Sequence, residues 1–218
     1  MAWVSENRSL TQEEMENNAN IIINYYRSIG IDDRTIAAIL GNMQAESTIS
    51  PIRTEAGGGG GYGLVQWTPQ SVLESHCSIL GLSPYTSGDV QIETIIAEIK
   101  GNPSSVLEWY TTLAFISNYY DSGATSDMVG ITGNQFLLNE MGWNPDKLAI
   151  MFMAGYERPT YDPDGNHYTS RMQFALNWFT YMGGVVPPTP GQRRKKKGYN
   201  FVLFNRRRRA KQWKQGTK

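Results

Sequence analysis

Glu46 is the side chain in this sequence whose position most favours acid–base chemistry. The segment GNMQAESTISP (41–51) places it seven residues after Ile39 and three after Met43, on the apolar stripe of a predicted helix. Burial disfavours a charged carboxylate, and the carbonyl end of a helix repels an anion. Both effects favour the protonated carboxylic acid, which can protonate the leaving oxygen of a glycosidic bond.

A second interpretation gives Glu46 no chemical role. It would be the exposed last residue of a frayed helix, or the partner of an arginine such as Arg53. Because structural ion pairs also perturb carboxylates, the helix pattern alone leaves both interpretations open.

A glycine run follows this helix in the segment TEAGGGGGYGLVQWTPQ (54–70). Such a run is often a flexible linker. It also suits the tip of a small hairpin, where a glycine backbone turns sharply and approaches a ligand closely. The strand-like GLVQW would then present Gln66 and Trp67, an amide and a ring suited to an N-acetylated sugar.

The charge distribution favours the hairpin, because the change of composition lies elsewhere. Residues 1–186 carry 8 Lys and Arg against 20 Asp and Glu, a net charge of −12, whereas the remaining residues carry 12 basic side chains and no acidic ones. The junction VVPPTPGQ is proline-rich, as linkers are. We therefore predict a globular domain at 5–184, a linker at 185–192 and a basic tail at 193–218.

The globular domain is predicted to be mainly α, with one small β-hairpin. Thr11 and Glu14 form a capping-box pattern, Asp32 or Asp33 can cap a second helix, and apolar residues then recur at helical spacing. Further helices are predicted from Thr68–Pro69 to Gly81, at 89–100, at about 105–118, from Asn144–Pro145 to about Tyr156, and at about 168–182.

Composition excludes several classes of protein. The single cysteine, Cys77, allows no internal disulfide, and His76 and His167 stand in no metal-ligand spacing, so no metal or other cofactor is expected. The amino terminus lacks the pattern of a signal peptide, and no run of about 18 apolar residues occurs. We expect synthesis in a cytosol and no membrane span.

Three stretches together resemble the phage tail lysozyme family: ILGNMQAESTISP, GYGLVQWTP and AGYERP (154–159). They occur in the family's order and are most similar to the lysozyme domain of tail-tip lysins of short-tailed phages that infect Gram-positive bacteria. The resemblance covers about 5–184. It implies a lysozyme-like helical fold and cleavage of peptidoglycan glycan strands between N-acetylmuramic acid and N-acetylglucosamine.

The resemblance also implies roles for particular residues. The catalytic glutamate falls on Glu46, and Tyr62, Gln66 and Thr68 would line the cleft from the hairpin side. Tyr156 falls where related enzymes hold a tyrosine opposite the glutamate. The protein would be a virion component at the tail tip, acting on the wall as the phage enters its host, with other tail proteins as partners.

The second group in the reaction is left open. Glu55 is a candidate, although a solvated loop position suits it better, and Glu157 is expected to brace a helix end through a charge pair. A retaining or inverting hydrolase needs a second carboxylate or a positioned water. Participation of the substrate's N-acetyl group would instead make the protein a lytic transglycosylase. The sequence is also compatible with an end-of-infection lysis enzyme and with a non-catalytic wall-binding tail protein.

Two features fall outside the resemblance. Related tail-tip lysins often carry a zinc endopeptidase domain, which is not expected here because the sequence has only two histidines and ends soon after the linker. The tail at 193–218 sets two basic blocks around YNFVLF, a pattern that suits DNA, teichoic acid or an anionic membrane, or a disordered solubilising tail.

Overall fold

The computed structural model describes residues 2–55, 58–159 and 166–186, and it confirms the mainly α prediction. Within these ranges lie eight α-helices: α1 (Gln12–Ser28), α2 (Asp33–Ser47), α3 (Ser71–Leu80), α4 (Gly88–Lys100), α5 (Leu113–Ile116), α6 (Gly133–Leu138), α7 (Pro145–Phe152) and α8 (Asn166–Tyr181). Three 3-10 turns and one π-helical turn, Met153–Glu157, accompany them. None of the helices in these ranges is both long and apolar enough to cross a bilayer.

Several helix ends follow their local signals. The Thr11 hydroxyl accepts from the backbone N–H of Glu14, and the Glu14 carboxylate accepts from the N–H of Thr11 at 2.8 Å, which confirms the capping box. The Asp32 side chain caps α2 by accepting from Arg34 N–H at 2.9 Å. Gly81 ends α3 with a φ of 68°, a left-handed conformation that glycine adopts without strain.

The helix predicted at 105–118 is wrong. A 3-10 turn at Ser104–Val106 is followed by non-helical backbone up to α5. Here the backbone bonds to distant segments: Tyr110 N–H donates to Gly155 O and Gly130 N–H donates to Thr111 O, both at 2.8 Å. Tertiary partners have replaced the local i to i−4 bonds that the apolar spacing predicted.

The predicted start of α3 at Thr68 is also wrong, because the helix begins at Ser71. The Thr68 hydroxyl donates to the backbone oxygen of Gln66 at 2.9 Å and caps no helix.

The predicted hairpin is smaller than the sequence indicated. Two isolated antiparallel bridges, Thr54 with Tyr62 and Tyr62 with Trp67, form its pairing. Residues 63–66 are a turn, so the strand-like interpretation of GLVQW is corrected. Glu55 N–H donates to Gly61 O at 2.9 Å, so both sides of the glycine run belong to one hairpin and the run is no linker between domains.

Helix α2 lies at the centre of the core, packed against α7 and α8. All its residues from Thr35 to Met43 are buried. Asn42 is among them, and its amide donates to the backbone oxygens of Ala38 at 2.9 Å and Ala149 at 3.1 Å. The compact unit ends at Val186. The predicted basic tail at 193–218 lies outside the described residues, so the domain boundaries remain a prediction.

Gly41 allows α2 and α8 to approach closely, and we expect Gly41→Ala to destabilise the protein by about 1–3 kcal/mol through overpacking. A Cβ there would lie 2.6 Å from Ala175 N and 2.8 Å from Arg171 O, backbone atoms that cannot rotate away. The measurement is urea unfolding. Gly155→Ala is the control, because its Cβ would meet side-chain atoms and no backbone: the Thr111 methyl at 3.3 Å and the Trp109 ring at 3.6 Å. Equal stability of the two variants would contradict the prediction.

Candidate active site

A cleft of about 840 Å³ opens between three segments of the chain: the end of α2, the hairpin and the turn that follows α7. Four of the five predicted site residues line it, namely Glu46, Gln66, Thr68 and Tyr156. Their separation in sequence shows that the fold brings together the three stretches on which the resemblance rested.

Tyr62 is placed differently from the other four. It is 8% exposed, its ring meets that of Tyr85 edge-on at a centroid distance of 5.7 Å, and it is not among the described residues that line the cleft. Its backbone pairs with Trp67 N–H at 3.0 Å. Tyr62 therefore stabilises the hairpin through its backbone pairing and its ring contact, and it is not placed to contact a ligand in the cleft.

Glu46 is the penultimate residue of α2, and its side chain is 20% exposed, at the edge of the cleft. Its Oε1 accepts a hydrogen bond from the guanidinium of Arg171 on α8. The alternative that Glu46 pairs with an arginine is therefore confirmed, with Arg171 as the partner. Arg53, the arginine named from sequence, instead donates to Ser9 Oγ at 2.9 Å. Among the described residues none donates to Glu46 Oε2.

Glu157 forms an ion pair, as predicted, but the pair is buried and the partner is Arg171 of α8. The buried Arg171 guanidinium donates to Glu157 as well as to Glu46, and to Asn42 Oδ1 at 2.9 Å. The Glu157 side chain is only 3% exposed. Burial raises its pKa well above the ordinary carboxyl value; the Arg171 charge opposes this shift and the Glu46 charge adds to it.

A π-helical turn positions Tyr156 and Glu157. The backbone N–H of Arg158 donates to Met153 O at 2.7 Å, and Arg158 then leaves the helix with a φ of 49°. Because consecutive helical residues point in different directions, Tyr156 contacts Glu98 while Glu157 contacts Arg171. Such turns occur often at functional sites.

A buried polar cluster lies beneath the cleft, centred on the Glu98 carboxylate of α4, which is 0% exposed. Trp67 Nε1 donates to its Oε1 at 3.0 Å, His76 Nδ1 lies 2.6 Å from the same oxygen, and the Tyr156 hydroxyl donates to Oε2. Burial raises the pKa of Glu98, and the hydrogen bond to Glu98 raises the pKa of His76.

Sequence reasoning missed Arg171 and Glu98, although both carry a detectable signal. Arg171 precedes the buried Ala175 and Trp178 by four and seven residues, and Glu98 lies beside Ile95 and Ile99 in the apolar pattern of α4. A charged residue on an apolar stripe was the signal that selected Glu46. Within the described ranges, no group of three or more His, Cys, Asp or Glu side chains is arranged to hold a metal ion.

A helical body with a carboxylate-lined cleft beside a short hairpin defines a lysozyme-like protein. The chain belongs to the phage tail lysozyme family, whose model matches residues 17–182. It is also similar to Morphogenesis protein 1 of Bacillus phage B103, with 29% identity over 186 residues, 84% of this chain and 44% of that relative. The chain therefore spans less than half the length of this relative.

Proposed function

We propose that this protein is a virion-associated peptidoglycan hydrolase that cleaves the glycan strand between N-acetylmuramic acid and N-acetylglucosamine, with Glu46 as the general acid. The observation that carries the proposal is the position of Glu46: at the cleft edge, with one carboxyl oxygen held by Arg171. Membership of the phage tail lysozyme family supports the substrate class.

Arg171 orients the acid and stabilises its product. It occupies Oε1, which leaves Oε2 to carry the proton toward the glycosidic oxygen. When the proton leaves, Glu46 becomes a carboxylate beside a guanidinium that is already in place. A preorganised charge of this kind stabilises negative charge where it develops during the reaction.

The opposite wall of the cleft offers hydrogen-bonding groups for a sugar. The Gln66 amide nitrogen donates to the backbone oxygens of Arg53 at 3.0 Å and Gly63 at 2.9 Å. Its orientation is therefore fixed, and no described residue donates to its Oε1. That oxygen can accept the N–H of an acetamido group, and the Thr68 hydroxyl beside it can accept a second hydrogen bond.

Three carboxylates besides Glu46 line the cleft: Glu55, Glu108 and Glu157. Glu108 is paired with Arg158 at 2.6 Å, so the other two are the candidates for the second group. Glu55, on the first arm of the hairpin, accepts from Gly61 N–H at 3.2 Å. It is exposed, so it is the better placed of the two to activate a water. Glu157 is engaged by Arg171, and its burial favours the neutral form. We propose hydrolysis, with Glu55 as the group to test first.

The experiment is digestion of isolated Gram-positive cell walls by the full chain, followed by mass spectrometry of the soluble fragments. We expect fragments with a new reducing end and the mass of one added water. Anhydro fragments without that water would establish a lytic transglycosylase instead. Binding to the walls with no release of fragments would establish a non-catalytic wall-binding protein.

We place the protein in the phage particle, at the tail tip, acting as the phage enters its host. The name of the similar B103 protein, a morphogenesis protein, supports a role in the phage particle, and membership of the phage tail lysozyme family supports a place in the tail. Immunolabelling of purified particles tests this, because a lysis enzyme of late infection would be absent from them.

The tail at 193–218 is proposed to bind a polyanion such as DNA, teichoic acid or an anionic membrane, a contact that added salt should release.

A further inference from the structure

The two walls of the cleft are joined beneath its floor by one side chain. Trp67 belongs to the hairpin wall and Tyr156 to the wall after α7, and both donate to the Glu98 carboxylate. The backbone of Glu98 adds a third connection, because its oxygen accepts from Glu108 N–H at 3.1 Å. Glu108 in turn binds Arg158 at 2.6 Å, and both residues line the cleft.

These connections depend on an acceptor with two oxygens. Trp67 can only donate, and the Tyr156 hydroxyl donates to the other oxygen of the same carboxylate. His76 of α3 completes the cluster, with its Nδ1 2.6 Å from Oε1 of the carboxylate. A neutral apolar residue at 98 would leave buried donors unpaired, which is costly. The need to accept these hydrogen bonds explains why an acidic residue occupies a position that solvent does not reach.

We propose that Glu98 is a positioning residue that holds the hairpin wall and the Tyr156 wall at the separation the substrate requires, with His76 as its charge partner. This rests on the proposed function, since a fixed separation matters for a glycan held against Glu46. Glu98 does not touch the substrate. It acts through Trp67 and Tyr156, and a misplacement of about 1 Å at a reacting centre can cost about 100-fold in rate.

The cluster also has a defined pH dependence. His76, Trp67 and Tyr156 contact Glu98, and its charge also acts on the buried Tyr26 and Cys77. The charges of Glu98 and Glu108 both act on His76. The pKa values of Glu98 and His76 are both raised, so the folded protein retains a proton that the unfolded chain releases. The cluster therefore stabilises the walls fully at acidic pH and weakens as the pH rises through the raised pKa of His76.

The test compares Glu98→Gln with Thr35→Val in the full chain. Glutamine keeps the shape but replaces one acceptor oxygen with a donor. Thr35 is a buried residue in the first turn of α2, at the far end from Glu46, and its hydroxyl donates to Phe136 O at 2.9 Å. Its loss removes one buried hydrogen bond away from the cleft. Both variants are measured well below their melting temperatures.

Two readouts are taken: amide hydrogen exchange of residues 62–68 and 153–157, and kcat and KM for release of glycan fragments. For Glu98→Gln we expect faster exchange in both segments and a kcat about 10- to 100-fold lower, with a smaller change in KM. Thr35→Val should change neither. Because the unmodified cluster weakens as the pH rises, the loss in Glu98→Gln relative to the unmodified protein should shrink as the pH rises through the raised pKa of His76.

Two outcomes overturn the proposal. Exchange and kcat matching Thr35→Val would make Glu98 merely structural, and a lower kcat without faster exchange would mean that it acts by another route. If the unmodified protein releases no fragments, the proposed function fails. Amide exchange in the two segments of Glu98→Gln then still tests whether Glu98 holds the two walls together. If Glu98→Gln does not fold, Tyr156→Phe removes one bond and should loosen residues 153–157.

Discussion

Glu46→Gln should lower the rate of glycan release from isolated walls by about 100- to 10,000-fold, the usual contribution of general acid catalysis. Glutamine has no proton of suitable acidity to give to the leaving oxygen. The cleft, the hairpin and the substrate contacts of Gln66 and Thr68 would be unchanged. The loss should therefore appear in kcat, with binding to the walls retained.

The fold should survive this substitution. Glutamine keeps an oxygen at the place of Oε1, so the Arg171 guanidinium keeps an acceptor there, and the side chain is already 20% exposed. The hydrogen bond from Arg171 to Glu157 also remains. Thermal unfolding should show a small change in Tm.

The control for Glu46→Gln is Glu140→Gln, which makes the same chemical change at an exposed position. Both proteins are compared with the unmodified chain by turbidity clearing and by new reducing ends. Normal clearing by Glu46→Gln would transfer the chemistry to another residue, with Glu55 and Glu157 the next to replace. Reduced clearing by Glu140→Gln would show that loss of a carboxylate anywhere has this effect.

Arg171→Met should destabilise the protein by about 3–5 kcal/mol at neutral pH, the usual result of removing one partner from a buried ion pair. The guanidinium is 4% exposed and serves both Glu46 and Glu157. Methionine fills similar space but leaves the two carboxylates facing each other with no positive charge between them. Activity should fall as well, because Glu46 loses its orienting contact.

The loss should depend on pH in a defined direction. Burial already raises the pKa of Glu157 in the folded protein, and the Arg171 charge is what limits this shift. A folded-state pKa above the unfolded value means that stability is complete at acidic pH and falls as the pH rises through the folded pKa. Without Arg171 that pKa is higher still, so the deficit of Arg171→Met should grow as the pH rises through about 8, the raised pKa of Glu157 in the unmodified protein.

Urea unfolding across this pH range measures the effect. The double variant Arg171→Met/Glu157→Gln should recover the part of the stability that is lost above about pH 8, because it removes the carboxyl group whose charge Arg171 compensates there. Arg27→Met is the matched control: Arg27 pairs with Asp33 at 2.7 Å, and both side chains are largely exposed, so little change is expected. A deficit in Arg171→Met that does not vary with pH would contradict the role assigned to Glu157.

The sequence was sufficient for features that depend on neighbouring residues. The capping box of α1, the Asp32 cap, the glycine stop of α3 and the Pro145 start of α7 all follow from bonds within a few positions. The sequence also identified four residues that line the cleft, out of five predicted site residues. These residues were predicted from three short stretches that resemble those of the family and occur in the same order along the chain.

Local patterns failed where distant backbone supplied the hydrogen bonds. Apolar spacing predicted a helix at 105–118, but Tyr110 and Thr111 bond to Gly155 and Gly130. The strand-like GLVQW became a turn because Tyr62 pairs with both Thr54 and Trp67. In each case a long-range contact outweighs a helix or strand preference that is worth only a fraction of a kcal/mol per residue.

What the sequence by itself determined is a helical, acidic domain with a glutamate on an apolar helix face beside a glycine-rich hairpin. Only the tertiary structure decided which charges meet. Arg171 lies 125 residues after Glu46, and Glu98 lies 58 residues before Tyr156. Helix propensity and periodicity act over a few residues, whereas a buried charge is stable only beside a partner that the packing of α2, α4, α7 and α8 brings to it.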